Sequence, residues 1–261
     1  MKTLDRLQQL SRLATIVILS AIVTTAKFPA IAKNPSTAKP KSDLKIRWKP
    51  PIPPTSLGIP GNRAQGGGTR GGCQTYQEIT ALVPKSPQQV PWGQTISDRP
   101  TLWLNAPQGL AKDLPIEIAV RTENGKPIAK QLLTVDRDIP PGAIALPLPL
   151  GTILQVDRTY RWEVALYCGN EEQIDRSLSI QGEIQRIAPP KKISNLKSPL
   201  ETAQILAENG IWYDAITQLG NGFRKTKDRQ LVTAWAELLQ AASVSGSDRI
   251  QDCCQFDRPK K

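Results

Sequence analysis

An immunoglobulin-like antiparallel β-sandwich closed by one disulfide, followed by a small helical element, is expected from three features of this chain. Cys73 in GGGTRGGC and Cys168 in YRWEVALYC bracket a long stretch with no other cysteine. Strand-like runs punctuated by turn residues fill that stretch. From Ser198 onward the apolar spacing becomes helical. The class is therefore mainly β plus C-terminal α.

The strand reading starts from the second cysteine. Tyr160, Trp162, Val164, Leu166 and Cys168 alternate with Arg161, Glu163, Ala165 and Tyr167, which sets Cys168 on the apolar side of a strand. A cysteine there suits a structural bridge to Cys73 better than surface chemistry. Further strands are expected at 77–83, 101–105, 115–121, 128–135, 143–148, 159–168 and 177–187. Glu123-Asn124-Gly125-Lys126 supplies the Asn-Gly of a tight hairpin, with positive φ at both central residues. Pro147 and Pro149 confine the 143–148 run to an edge or a bulge. Short strands at this spacing favour two packed antiparallel sheets across residues 73–190. A bridge closing so long a loop stabilises by roughly 4–5 kcal/mol in the chain-entropy account.

A short linker (191–197) leads to a helical element at 198–243. Ser198-Pro199-Leu200-Glu201 is a capping box with proline at the first helical position. Gly210 ends that helix, Ile211–Ile216 opens a second, and Asp228 caps a third through Leu231, Trp235 and Leu238. The run LAENGIWYDAITQL resembles the inter-helix turn of a tetratricopeptide repeat, too little for a solenoid and enough for one hairpin. Its Trp212 and Tyr213 suit core packing better than ligand contact, and they are kept as candidates for partner contact. Residues 244–261 read as a flexible tail.

The N-terminal third sets the compartment. Lys2, Arg6 and Arg12 precede an apolar run over 13–26, and Ala30-Ile31-Ala32 is a small-x-small site. Residues 1–32 thus read as a secretory signal peptide cut after Ala26 or Ala32. The run is too short to span a bilayer, so no stable transmembrane anchor is expected after cleavage. Periplasm, extracellular space or cell envelope is the expected location. Net charge is +11, of which 1–32 holds +3 and 33–72 holds +7, leaving +1 for the rest. Residues 33–72 carry seven prolines and read as a basic, disordered Pro/Gly-rich linker. That charge suits anionic envelope polymers or glycans; without an aromatic stacking array it does not suggest nucleic acid.

The chemistry is bounded by what is missing. The chain has no histidine. Ser-His-Asp and Cys-His catalysis are removed with it, as is the commonest zinc or copper ligand. The four cysteines lack paired CxxC spacing, so neither metal nor cofactor is expected. Glu163, Glu171, Glu172 and Asp175 lie close together and keep carboxylate chemistry open, against a plainly solvated loop. Adjacent Cys253 and Cys254 set a redox pair against an undirected tail thiol pair.

GIPGNRAQGGGTRGGC, ITALVP, SDRPTLWLNAP, YRWEVALYC, GEIQRI and LAENGIWYDAITQL together resemble the cyanobacterial family known as domain of unknown function 928, over roughly residues 58–240. The resemblance implies an exported protein of this two-part layout and no activity. It draws attention to Arg70, Arg99, Pro100 and Trp103. Arg99 is a candidate for partner contact at the sandwich rim, or for pairing with Glu163 or Asp98. Trp103 is either an exposed contact or core. The expected function is a non-catalytic protein-interaction or structural role in the cell envelope, with an envelope protein as partner. The alternative is a carbohydrate-binding or carboxylate-based carbohydrate-active module using Trp92 and Trp103.

Overall fold

The computed structural model describes residues 45–54, 67–68, 73–168, 177–190 and 198–252, all in the compact unit 43–261. The leader, Arg70, Glu171, Glu172, Asp175, the 191–197 linker and the Cys253-Cys254 pair lie outside the described residues.

The chain is mainly β, with two sheets, three C-terminal helices and one disulfide. Its strands are β1 (Gly67–Gly68), β2 (Thr80–Ala81), β3 (Trp92–Thr95), β4 (Thr101–Ala106), β5 (Pro115–Thr122), β6 (Pro127–Thr134), β7 (Gly142–Pro147), β8 (Arg158–Tyr167) and β9 (Ser177–Arg186). The helices are α1 (Pro199–Glu208), α2 (Trp212–Thr226) and α3 (Arg229–Ala241). One sheet has six strands in the order β1-β9-β8-β5-β6, with β3 also on β9; the other runs β2-β4-β7. All pairs are antiparallel except β3 with β9, which is parallel and was not foreseen as a strand. Trp92-Gly93-Gln94-Thr95 is too short to show alternation.

The small sheet is buried on both sides. Ile144 pairs with Leu104 and Leu146 with Leu102, all at 1% exposure or less. On the opposite face Trp103 meets the helices: it stacks edge-on against Trp235 at 4.9 Å and donates through Nε1 to Thr217 Oγ1 at 3.1 Å. A Cβ at position 220 would overlap the Trp103 ring, so Gly220 sets how closely α2 approaches β4. Burial on both faces explains the unbroken apolar runs Leu102-Trp103-Leu104 and Ala143–Leu146. The proline reading holds for β7, which lies at the edge of its sheet and ends at Pro147.

In the large sheet, Ile116, Ile118, Val120, Tyr160, Trp162, Val164 and Leu166 fill the inward face and alternate with outward residues that are polar apart from Ala119 and Ala165. The β5–β6 hairpin differs from expectation. Only Gly125 has positive φ, at 83°. The Gly125 N–H donates to Thr122 O and the Thr122 N–H to Lys126 O, closing a three-residue loop in which the glycine alone is left-handed. Cys73 and Cys168 form the disulfide, tying the segment that leads into the small sheet to the end of β8 in the large one.

One hydrophobic core runs through both sheets and the helices. Ser198 Oγ accepts from Glu201 N–H and Asp228 Oδ1 from Gln230 N–H, so both caps form as the sequence indicates. Three segments depart from the disordered reading, the first being β1 at Gly67–Gly68, which pairs with β9. In the 33–72 linker, residues 45–54 lie against the helices, with Ile46 at 3% exposure, because Ile46 and Trp48 present apolar surface that the helices cover. In the 244–261 tail, Ile250 is buried and bridges Ala143 on the free edge of β7. No described helix is long and apolar enough to cross a membrane.

Candidate functional site

Most aromatic side chains proposed for contact are spent on the interior. Trp103, Trp212 and Tyr213 are at 1% exposure or less, which corrects their place among interaction candidates. Trp212 donates through Nε1 to Leu82 O at 2.8 Å. Tyr213 Oη accepts from Trp162 Nε1 at 2.8 Å and donates to Glu183 O at 3.1 Å. Burial raises the Tyr213 phenol well above its ordinary value and keeps it a neutral donor. These three residues clamp α2 to both sheets. Trp92 is also buried, so neither Trp92 nor Trp103 offers a sugar-stacking platform. Arg99 sits on an exposed turn, where its backbone N–H donates to Ser97 Oγ; neither Asp98 nor Glu163 pairs with it among the described contacts.

Asp214 in the first turn of α2 joins the helix to the loop after β3. Its Oδ2 accepts from Thr95 Oγ1 at 2.7 Å and from Ile96 N–H at 3.0 Å. Burial raises its carboxyl above the ordinary value, and these hydrogen bonds oppose the rise. Both sides of the contact are protein, so Asp214 serves docking rather than a substrate.

Among the described residues, two surfaces bear on contact with other molecules. The outward face of the large sheet is polar. Lys130 Nζ is 2.8 Å from Glu117 and Tyr167 Oη donates to Glu117 Oε2 at 3.2 Å. Gln181 Nε2 donates to Glu163 Oε1 at 3.1 Å, and Arg161 Nε to the buried Glu183 at 3.2 Å. Burial, then the nearby Glu117 charge, raises the Tyr167 phenol; Glu117 also raises Lys130 through its hydrogen bond. Each of these carboxylates thus has a donor from a neighbouring strand. Among the described residues, no group of three or more His, Cys, Asp or Glu side chains is placed to hold a metal.

The second surface was missed in the sequence. Of the six exposed large aliphatic side chains among the described residues, five are Ile128, Leu132, Leu150, Ile153 and Val156. They lie on the edge strand β6 and on the loop after β7. Leu150 N–H donates to Gln131 Oε1, bringing that loop onto the β6 edge. The one trace in the sequence is Leu132 beside Leu133, a break in the alternation of the 128–135 run; the register then sets Leu132 against Glu117 on the polar face. These side chains are exposed on an edge strand and its neighbouring loop.

Comparison with known proteins supplies a family and no activity. No curated protein matches. Among solved structures, the crystal structure of the C-terminal domain of wzt is 13% identical, covers 51% of this chain and 84% of that one, and has a TM-score of 0.28. A family 76 glycoside hydrolase from a bovine Bacteroides thetaiotaomicron strain is 18% identical, covers 43% of this chain and 21% of that one, and has a TM-score of 0.24. Neither likeness is close enough to bear on function. Residues 65–250 match the Domain of Unknown Function family DUF928, and the chain belongs to that family.

Proposed function

We propose that the protein is an exported, non-catalytic module of the cell envelope that works by protein contact on an immunoglobulin-like sandwich. The observation that carries the contact reading is the exposure of five aliphatic side chains on β6 and on the loop that Leu150 fastens to Gln131 of that strand. Export is supported by the leader pattern and by a disulfide, a bond that persists in oxidising compartments.

The immunoglobulin-like reading rests on strand order. The set β2-β4-β7 against β3-β9-β8-β5-β6 follows the A-B-E and A′-G-F-C-C′ arrangement of such domains, with β3 parallel to the last strand. Tyr160, near the start of β8, accepts through Oη from Gln155 N–H five residues upstream, as at a tyrosine corner. The bridge departs from that pattern, since Cys73 precedes the first strand of the small sheet.

The test is co-purification and cross-linking from the native envelope, comparing the full chain with a Leu132→Lys, Ile153→Lys double variant. A partner captured by the first and lost by the second supports the reading. Turnover of an envelope glycan or peptide by the purified protein would sink it.

A second reading, carbohydrate binding, is favoured by the Glu117, Tyr167, Glu163 and Gln181 array on the outward face. Calorimetric titration with envelope glycans, against Glu163→Gln and Tyr167→Phe, decides it. Heat of binding that both substitutions reduce would favour the sheet face over the β6 edge.

A further inference from the structure

The segment 45–52 has no regular secondary structure and forms a strap that touches all three helices. Ile46 N–H donates to Glu237 Oε2 of α3 at 3.2 Å. Trp48 stands edge-on to Trp212 of α2, with ring centroids 5.1 Å apart at 78°. Lys49 N–H donates to Ala207 O in the last turn of α1 at 3.1 Å. Pro51 lies over Gly210, where a Cβ would meet its ring at 3.0 Å and Lys49 O at 3.1 Å.

The helices are prepared for this contact. Ile211 N–H donates to Leu206 O and Gly210 N–H to Ala207 O, a Schellman ending that holds Gly210 at φ 76°. The left-handed glycine leaves room for the proline, and Ala207 O keeps capacity for the Lys49 N–H. The turn that resembles a tetratricopeptide unit is thus the place where the strap is read.

Three facts give the strap the character of a ligand rather than a core element. It lies outside the 65–250 family match. Only Ile46 is fully covered; Trp48 is half-buried and Ile52 is 92% exposed. Pro50, Pro51, Pro53 and Pro54 favour an extended polyproline-like backbone, which loses little entropy on docking and is a recurrent form of recognised peptide.

We propose that α1–α3 form a peptide-binding groove for an extended segment with an aliphatic residue, an aromatic residue two positions on, and prolines just after it. Residues 45–52 fill this groove in cis. A partner segment of the same pattern competes for it. This goes beyond the reading above, which concerns the β6 edge, and either stands without the other.

The test uses the full chain with a protease site placed between residues 57 and 58. After cleavage under native conditions, the N-terminal fragment is expected to co-elute with the body on gel filtration. Excess synthetic peptide 45–54 should displace it, while the same peptide carrying Trp48→Ala should not. Loss of the fragment on cleavage alone, or equal displacement by both peptides, would overturn the proposal. Independently of cleavage, an intact Ile46→Ala, Trp48→Ala chain, verified as folded by near-ultraviolet circular dichroism, should bind labelled peptide 45–54 at least ten-fold more tightly than wild type. Equal or absent binding would likewise overturn it.

Discussion

The two sheets meet water differently. The β2-β4-β7 sheet is covered on one face by the large sheet's core and on the other by helices, whereas the large sheet keeps a polar outward face. In the small sheet both side-chain directions are apolar, so the period-two signal vanishes into runs such as Leu102-Trp103-Leu104. In β5 and β8 it survives, interrupted only at the small buried Ala119 and Ala165. The lesson is that loss of alternation marks a layer covered twice, and that open surfaces must be sought where alternation persists and is then violated, as at Leu132.

The largest predicted effect comes from untying the sheets. Replacing Cys73 and Cys168 together with serine frees a cross-link between residues separated by 95 in sequence. A loss of about 4–5 kcal/mol is expected from the loop length, read as a lower urea midpoint. An unchanged midpoint would mean that packing alone fixes the sheet-to-sheet relation.

Next comes Trp103→Ala on the doubly covered sheet. It removes the contact with Trp235, the Thr217 hydrogen bond and the Arg224 guanidinium 5.7 Å above the ring. A cost of about 3–5 kcal/mol is expected for a large aromatic truncated in a core, read as a lower thermal midpoint. A change below 1 kcal/mol would break the claim that helices form a true second cover.

Asp214 tests the same cover by pH. Because its carboxyl is raised in the folded protein, the folded state binds the proton more tightly than the unfolded chain. Its contribution is therefore present at low pH and is lost as pH rises from about 3.8 through the raised folded value. Asp214→Asn, which retains an acceptor for Thr95 and Ile96, should remove that slope from the urea midpoint measured across this range. An identical slope in both proteins would assign the pH dependence elsewhere.

The smallest effect belongs to the open side. Leu132→Lys should change stability by no more than about 0.5 kcal/mol, because Leu132 is 57% exposed. A larger loss would show that the β6 edge is structural rather than free.

The comparison also shows which parts were legible. Strands of six or more residues, both helix caps and the Cys73–Cys168 pairing follow from periodicity, hydrogen-bonding side chains and cysteine placement, all local signals. The parallel β3, the docked strap and the Ile250 bridge depend on partners distant in sequence, and no local pattern encodes them. The aromatic candidates stood between contact and core for the same reason: whether Trp103 faces water or α2 is decided by Gly220, more than a hundred residues away. The β6 edge remained unread because a single exposed leucine carries meaning only once its register against Glu117 is known.

The contact between Ile46 and Glu237 spans 191 positions, almost the whole described chain. A chain emerging from a ribosome or an export channel delivers Ile46 and Trp48 long before α3 exists to receive them. Cys73 likewise waits for Cys168. The sandwich can close as soon as β9 arrives, but the strap must remain unclaimed until the last helix has been delivered. Contacts of such long range are slow to form. The contact of the strap with α3 thus forms only once Glu237 has been delivered, and the bridge from Ile250 to Ala143 follows it.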